Sequence, residues 1–232
     1  MNYADIESGV ISRERLTAFG LADGRPLPEC MALYVYNMQL CEALYPLLHG
    51  VEIALRNRTH AALAAFTGRK RWMNADSSPI LRQREKASIK RAENFLRRKK
   101  KPTNVESIIS ELSLGFWVSL YGEPYDRPLW HKGLLRDAFP CAPRSALAAH
   151  RIRSSLRRIR HLRNRVFHHE PIWQWRSLAQ HHREILRLTF WLSSDWSRIL
   201  VVQDRFPQVL AAGEQVYVAR INSLDGAQWK PD

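Results

Sequence analysis

Residues 161–171 of the chain read H-L-R-N-R-V-F-H-H-E-P and close its most arginine-rich stretch. Apolar residues recur along this stretch at helical spacing, at Ile152, Leu156, Ile159 and Val166. This pattern predicts one α-helix with a buried stripe, and Arg163 falls in line with that stripe. Pro171 disfavours helical geometry at the residue before it, so we expect the helix to end near His168 and His169.

One edge of the predicted helix is polar and cationic. Asn164 and His168 are four residues apart and are therefore neighbours on this edge. Arginines precede them along the same edge, at Arg153, Arg157 and Arg160. We expect a cationic track that ends in a histidine suited to proton exchange, because the carbonyl groups at a helix end stay free.

The positive charge of the chain is confined to two segments. The formal net charge is +14 over 232 residues. Residues 82–101 hold ten Lys or Arg against two Glu, and residues 144–170 hold eight Arg against one Glu, so the remainder is close to neutral. Such clustering indicates a polyanionic partner, for which nucleic acid is the first expectation and an anionic membrane surface the second. The first segment ends in a cluster that is either an RNA contact or a solvated face: Arg97, Arg98, Lys99, Lys100 and Lys101.

Composition favours an all-α protein. Apolar residues make up 45% of the chain, glycine and proline are modest in number, and alternating β patterns are scarce. We expect a single helical domain over residues 1–212 and a C-terminal tail of uncertain structure over residues 213–232. Within that tail, residues 216–218 are either a short strand or an unattached end.

Cysteine usage and hydropathy indicate in which cellular compartment the protein is expected. The three cysteines show no C-x-x-C spacing, so neither a disulfide framework nor a cysteine zinc site is indicated. The N-terminus lacks a signal-peptide pattern, and no uncharged apolar run approaches the length of a membrane span. These features predict a cytoplasmic protein that does not bind membranes.

Local signals place several helix ends. Ser12 is a candidate N-cap for a short helix, and Thr103 or Asn104 for a helix that runs to Tyr121. Pro46 is expected to start or kink a helix that ends near Phe66. A further helix is predicted from Pro79 to Lys99, and Asp195 is a candidate cap for a helix that reaches Val202.

Three blocks of the sequence resemble the Abi-like (AbiD/AbiF-type) abortive-infection proteins of the HEPN superfamily. They are V-E-I-A-L-R-N at residues 51–57, a block at residues 111–120 that contains L-S-L-G-F-W-V-S-L, and R-N-R-V-F-H-H-E-P at residues 163–171. The resemblance extends over roughly residues 10–205, including the I-S-R-E-R-L start. An arginine followed closely by a histidine has little specificity alone, so the surrounding blocks carry the resemblance.

The resemblance implies a fold, an activity and an assembly. The fold would be an all-α, HEPN-like helical domain with additional N-terminal and C-terminal helices. The activity would be that of a metal-independent endoribonuclease whose signature residues fall here on Arg163, Asn164 and His168. In this family two copies of the motif meet across a dimer interface, so a homodimer is expected, with an antitoxin or a non-coding RNA as a further partner.

The same three residue types suit RNA cleavage on chemical grounds. RNA carries its own nucleophile, the 2′-hydroxyl, so cleavage needs a base, an acid and a cation beside the phosphorus. We assign proton transfer to His168 and the binding of the phosphate to Arg163. Asn164 would orient either of these side chains by hydrogen bonding. His169 and Glu170 either assist or only pack. This chemistry requires no metal and no cofactor.

Other interpretations remain open. Arg163 could serve the fold by pairing with a carboxylate such as that of Glu52. A metal site is less favoured because adjacent helical histidines point apart; its ligands would come from His168, His169, Glu170, His181 and His182. The main alternative function is a non-catalytic helical module that binds RNA or a protein. A DNA-binding regulator is weaker, because no helix-turn-helix spacing stands out.

Overall fold

The computed structural model describes residues 3–74, 78–130 and 133–224. The structure is 71% helical, which confirms the all-α class. The α-helices of the described residues are α1 (Tyr3–Gly9), α2 (Arg13–Thr17), α3 (Leu27–Thr67), α4 (Gln83–Arg98), α5 (Val105–Glu111), α6 (Leu114–Ser119), α7 (Leu134–Ala138), α8 (Ala149–Phe167), α9 (Leu178–Leu192), α10 (Ser194–Val201), α11 (Phe206–Ala212) and α12 (Gln215–Asn222).

Side-chain caps start several of these helices. The Ser12 hydroxyl accepts a hydrogen bond from the Arg15 amide at 3.3 Å, and the Asn104 side chain accepts one from the Ser107 amide at 2.9 Å. Both caps were predicted, because each lies next to the helix that it starts. Helix α10 is capped by Ser193 and not by Asp195, so that prediction was wrong by two residues.

Three of the predicted helices differ from the expected pattern. Helix α3 continues through Pro46 over 41 residues. The helix expected up to Tyr121 is divided into α5 and α6, because Leu112 adopts an extended conformation with ψ of 126°. Helix α4 begins at Gln83, four residues after the predicted start at Pro79.

The chain forms two compact units, each built from separate segments. Unit 1 comprises residues 1–46, 162–182 and 203–232, and unit 2 comprises residues 47–161 and 183–202. The single domain expected over residues 1–212 stays a prediction. None of the described helices is both long and apolar enough to cross a membrane.

Unit 1 contains the end of α8 and both described terminal regions. The C-terminal segment is helical up to Asn222, so the strand considered for residues 216–218 was wrong. Tyr217 of α12 is buried, and its ring lies 5.5 Å from the Tyr36 ring of α3. An ion pair between Arg25 and Glu214, at 3.6 Å, also holds this segment. Residues 225–232 of the predicted tail lie outside the described residues.

Unit 2 is organised around large aromatic side chains. Trp117 and Tyr121 are fully buried, and the Tyr121 ring stacks on Trp130 with ring centroids 4.3 Å apart. The Tyr121 hydroxyl shares a 2.7 Å hydrogen bond with Thr59 of α3. Burial raises the pKa of Tyr121, so its hydroxyl stays protonated and serves the fold.

Candidate active site

Helix α8 ends in a turn that fixes the residues after the motif. The Glu170 amide donates to the Arg165 carbonyl at 2.8 Å and the His169 amide to the Val166 carbonyl at 3.3 Å. His169 has a φ of +57°, a left-handed conformation uncommon for a residue with a side chain. Together these features form a Schellman motif, in which His168 is the C-cap residue of the helix and His169 follows it.

Arg163 lies at the border of the buried stripe. Leu162 is fully buried and Val166 is 5% exposed, so they hold the core positions, whereas Arg163 is half-buried. The Arg163 guanidinium lies over the Phe167 ring, 4.1 Å from its centroid, and Phe167 stacks on Tyr45 at 5.3 Å. This cation–π contact orients the guanidinium along the helix surface.

Asn164 and His168 are adjacent, as their spacing predicted. The His168 amide donates to the Asn164 carbonyl at 2.9 Å, which continues the helical hydrogen-bond pattern. The His168 side chain is exposed and the Asn164 side chain is half-buried. Residues with this spacing have Cβ atoms about 5–6 Å apart, so an amide and an imidazole can reach one small ligand group.

The residues proposed to assist have structural partners. Glu170 forms an ion pair with Arg165 at 3.2 Å, and Arg165 also donates to the Pro171 carbonyl at 3.2 Å. The His169 carbonyl accepts a hydrogen bond from Arg15, while the His169 side chain is exposed. Glu170 therefore stabilises the turn, and the imidazole of His169 stays accessible.

Two residues far away in sequence hold the segment that follows the motif. The buried Asn37 side chain accepts hydrogen bonds from the amides of Ile172, at 2.7 Å, and Trp173, at 3.2 Å. The Trp173 indole donates to the Ala18 carbonyl at 3.2 Å. No local sequence signal indicates the role of Asn37, because its partners lie more than 130 residues later.

Cavities in unit 1 lie beside the motif. One of about 220 Å³ is lined by residues including Arg15, Met38 and His169. Another of about 450 Å³ is lined by residues including Tyr45, Phe167 and His169. Cys41 lines both, and burial raises the pKa of its thiol to about 11, so it stays uncharged at neutral pH.

The histidines of α9 have other partners. His182 is buried, shares a 2.7 Å hydrogen bond with Asp204 and stacks on Phe206. His181 contacts the Ser177 carbonyl at 2.9 Å. Throughout residues 3–74, 78–130 and 133–224, no group of three or more His, Cys, Asp or Glu is placed to hold a metal ion.

The three arginines of the expected cationic track, which lie in unit 2, differ in burial. Arg157 is exposed and Arg160 is half-buried, as a surface track requires. Arg153 is buried: it donates to the Tyr121 carbonyl at 2.9 Å and pairs with Asp126 and Glu123. The expectation that Arg153 contacts RNA is not retained, because its charge is neutralised inside the unit.

The basic cluster at the end of α4 lies on the surface. Its five members are all exposed: Arg97, Arg98, Lys99, Lys100 and Lys101. Arg97 contacts Asn94 at 3.0 Å and Glu93 at 3.7 Å, and Lys100 has a φ of +53° in a second Schellman turn. The cluster is accessible to an anionic partner, and its contact with RNA stays a prediction.

Comparison with known proteins identifies the family. No curated protein and no solved structure matches the chain. The family model described as "Abi-like protein" matches residues 15–174, which is more than half of the chain and includes the Arg163, Asn164 and His168 motif. The chain therefore belongs to the Abi-like protein family.

Proposed function

We propose that this chain is a metal-independent endoribonuclease of the HEPN type. Membership of the Abi-like family indicates a role in abortive infection, a form of phage defence. The observation that supports the nuclease most strongly is the arrangement at the end of α8. There an oriented guanidinium, a half-buried amide and an exposed imidazole occur within six residues.

These three groups match the requirements of RNA cleavage. A base removes the proton of the 2′-hydroxyl, the 2′-oxygen attacks phosphorus, and the bond to the 5′-oxygen breaks as an acid protonates that oxygen. The products are a 2′,3′-cyclic phosphate and a 5′-hydroxyl. His168 transfers protons, Arg163 neutralises the charge on the phosphorane oxygens, and Asn164 orients either of these side chains by hydrogen bonding.

A second copy of the chain would complete the site. The reaction needs a base and an acid, and each copy supplies one His168. Apolar side chains beside the motif are exposed: Met38 by 55% and Tyr45 by 50%. Met38 lines one of the two cavities that include His169, and Tyr45 lines the other. We therefore place a homodimer interface on this face, which would bring two motifs together. An antitoxin or non-coding RNA that restrains the enzyme also stays a prediction.

Product chemistry tests the proposed mechanism. The purified protein should cut single-stranded RNA to products with 2′,3′-cyclic phosphate ends, equally well with and without EDTA. The Arg163→Ala variant should cut about 10²–10³-fold more slowly, because the charge on the transition state loses its main cation. Arg176→Ala removes an exposed arginine of the same unit and should keep full activity.

Several outcomes would overturn the nuclease. EDTA could abolish cleavage, the products could carry 5′-phosphate ends, or both arginine variants could retain equal activity. Tight RNA binding without any cleavage would favour the non-catalytic RNA-binding module instead.

The dimer has its own test. Met38→Glu should raise the dimer dissociation constant by about tenfold or more, because it places a charge in an apolar contact. Analytical ultracentrifugation should show the shift towards monomer, with a parallel loss of cleavage at low protein concentration. Val202→Glu adds the same charge at a residue that is 81% exposed and should leave the assembly unchanged. A monomeric wild-type protein with full activity would exclude the shared site.

A further inference from the structure

Unit 2 contains an arginine-lined cavity that the proposed reaction does not use. Its volume is about 370 Å³. Arg82 and Arg84 border it at the start of α4, and Arg157 and Arg160 border it from α8. Arginines from two separate helices therefore converge on one concave surface.

The charge of this cavity is not balanced from within. Among the residues that the structure describes, Arg82, Arg84, Arg157 and Arg160 form no ion pair. Arg153, which also lines the cavity, differs because Glu123 and Asp126 neutralise it.

Among the described residues that line the cavity, Glu85 is the only carboxylate, and it is already engaged. It is 4% exposed and accepts hydrogen bonds from Ser119 at 2.8 Å and Tyr125 at 2.7 Å. Four unpaired guanidinium groups repel one another, and a bound anion would remove that repulsion. The cavity is therefore electrostatically complementary to an anion with several acceptor oxygens.

We propose that this cavity binds backbone phosphates of the RNA strand and forms a docking site that uses none of the three motif residues Arg163, Asn164 and His168. The planar guanidinium group donates two parallel hydrogen bonds to phosphate, which suits arginine better than lysine for such a site. The cavity is open to solvent through exposed Arg82, Arg84 and Arg157, so a strand can enter without unfolding the unit. The proposal rests on RNA being the substrate of the proposed function.

Binding measurements with a matched pair of double variants test the docking site. The probe is a short fluorescent single-stranded RNA, and every protein carries His168→Ala so that the RNA stays intact. The Arg84→Gln and Arg157→Gln double variant loses two cavity arginines. The Arg183→Gln and Arg198→Gln double variant loses two exposed arginines of the same unit outside the cavity. Both double variants lower the net charge equally.

The expected result is a selective loss of affinity. Each lost phosphate contact should reduce the steepness of the fall of log affinity with log salt by about 0.7. The cavity variant should therefore have a slope about 1.4 shallower and an affinity roughly tenfold lower near physiological salt. The control should stay close to the parent. Arg84→Lys with Arg157→Lys should recover part of the affinity, because the charges return without the bidentate geometry.

The docking site is overturned if both double variants weaken binding equally, since the effect would then be one of net charge. It is also overturned if pyrophosphate binds the cavity while RNA affinity does not depend on it. Circular dichroism melting of each variant excludes unfolding as the cause of a loss. Cleavage by the wild-type chain distinguishes the two proposals. Cleavage that depends on His168 supports the nuclease, whatever the cavity variants do. A selective loss of RNA binding by the cavity variant supports the docking site, even if no cleavage is observed.

Discussion

His168→Ala is expected to slow RNA cleavage by about 10²–10⁴-fold, the range in which a positioned proton-transfer group contributes. The imidazole is exposed beside the half-buried Asn164, and its removal should change no core contact. The measurement is the single-turnover cleavage rate of the purified protein.

The control for this variant lies on the same helix. His150→Ala removes another exposed histidine of α8, in unit 2, and should cleave at the wild-type rate. In cells, induction of the wild-type chain should arrest growth and degrade RNA, whereas induction of His168→Ala should do neither. Equal cleavage by His168→Ala and the parent would remove the histidine from the mechanism.

Asn37→Leu is expected to reduce the free energy of unfolding by about 2–4 kcal/mol, because it leaves the amides of Ile172 and Trp173 without their acceptor. The leucine is close to asparagine in size, so the effect comes from lost hydrogen bonds and not from a cavity. Urea unfolding measures the loss. Cleavage should fall as well, since Asn37 holds the segment that begins at Ile172, four residues after His168.

Two control variants test whether the effect of Asn37→Leu comes from the lost hydrogen bonds. Gln39→Ala removes a side chain of the same helix that donates a hydrogen bond to Glu42 at 2.9 Å, and should change stability little. Asn37→Asp keeps an acceptor oxygen for both amides and should retain more stability than the leucine variant. A stable Asn37→Leu protein with full activity would show that the segment is held by other contacts.

Local sequence signals predicted the features that depend on neighbouring residues. The all-α class, the caps at Ser12 and Asn104 and the pairing of Asn164 with His168 all follow from spacings of a few residues. The end of α8 was also anticipated, because Pro171 restricts the residue before it. In each case the partner lies within one or two turns of helix.

Features that depend on distant partners could not be predicted. Helical periodicity placed Arg153 on a surface edge, but Asp126 and Glu123 neutralise it in the interior. Pro46 was predicted to start or kink a helix, but α3 begins at Leu27 and continues through Pro46, as packing can override a local preference. The acceptor role of Asn37 depends on residues 135 and 136 positions away.

The left-handed backbone conformation of His169 makes histidine a less stable choice than glycine at this position. A residue with a Cβ atom in this conformation costs about 1–2 kcal/mol, and glycine avoids that penalty. If stability alone determined the residue at this turn, glycine would be expected there. The chain has histidine instead, and His169 lines the two unit 1 cavities described above. His169→Gly should therefore yield a protein that melts at a higher temperature, and any accompanying loss of cleavage would measure what the strained histidine contributes.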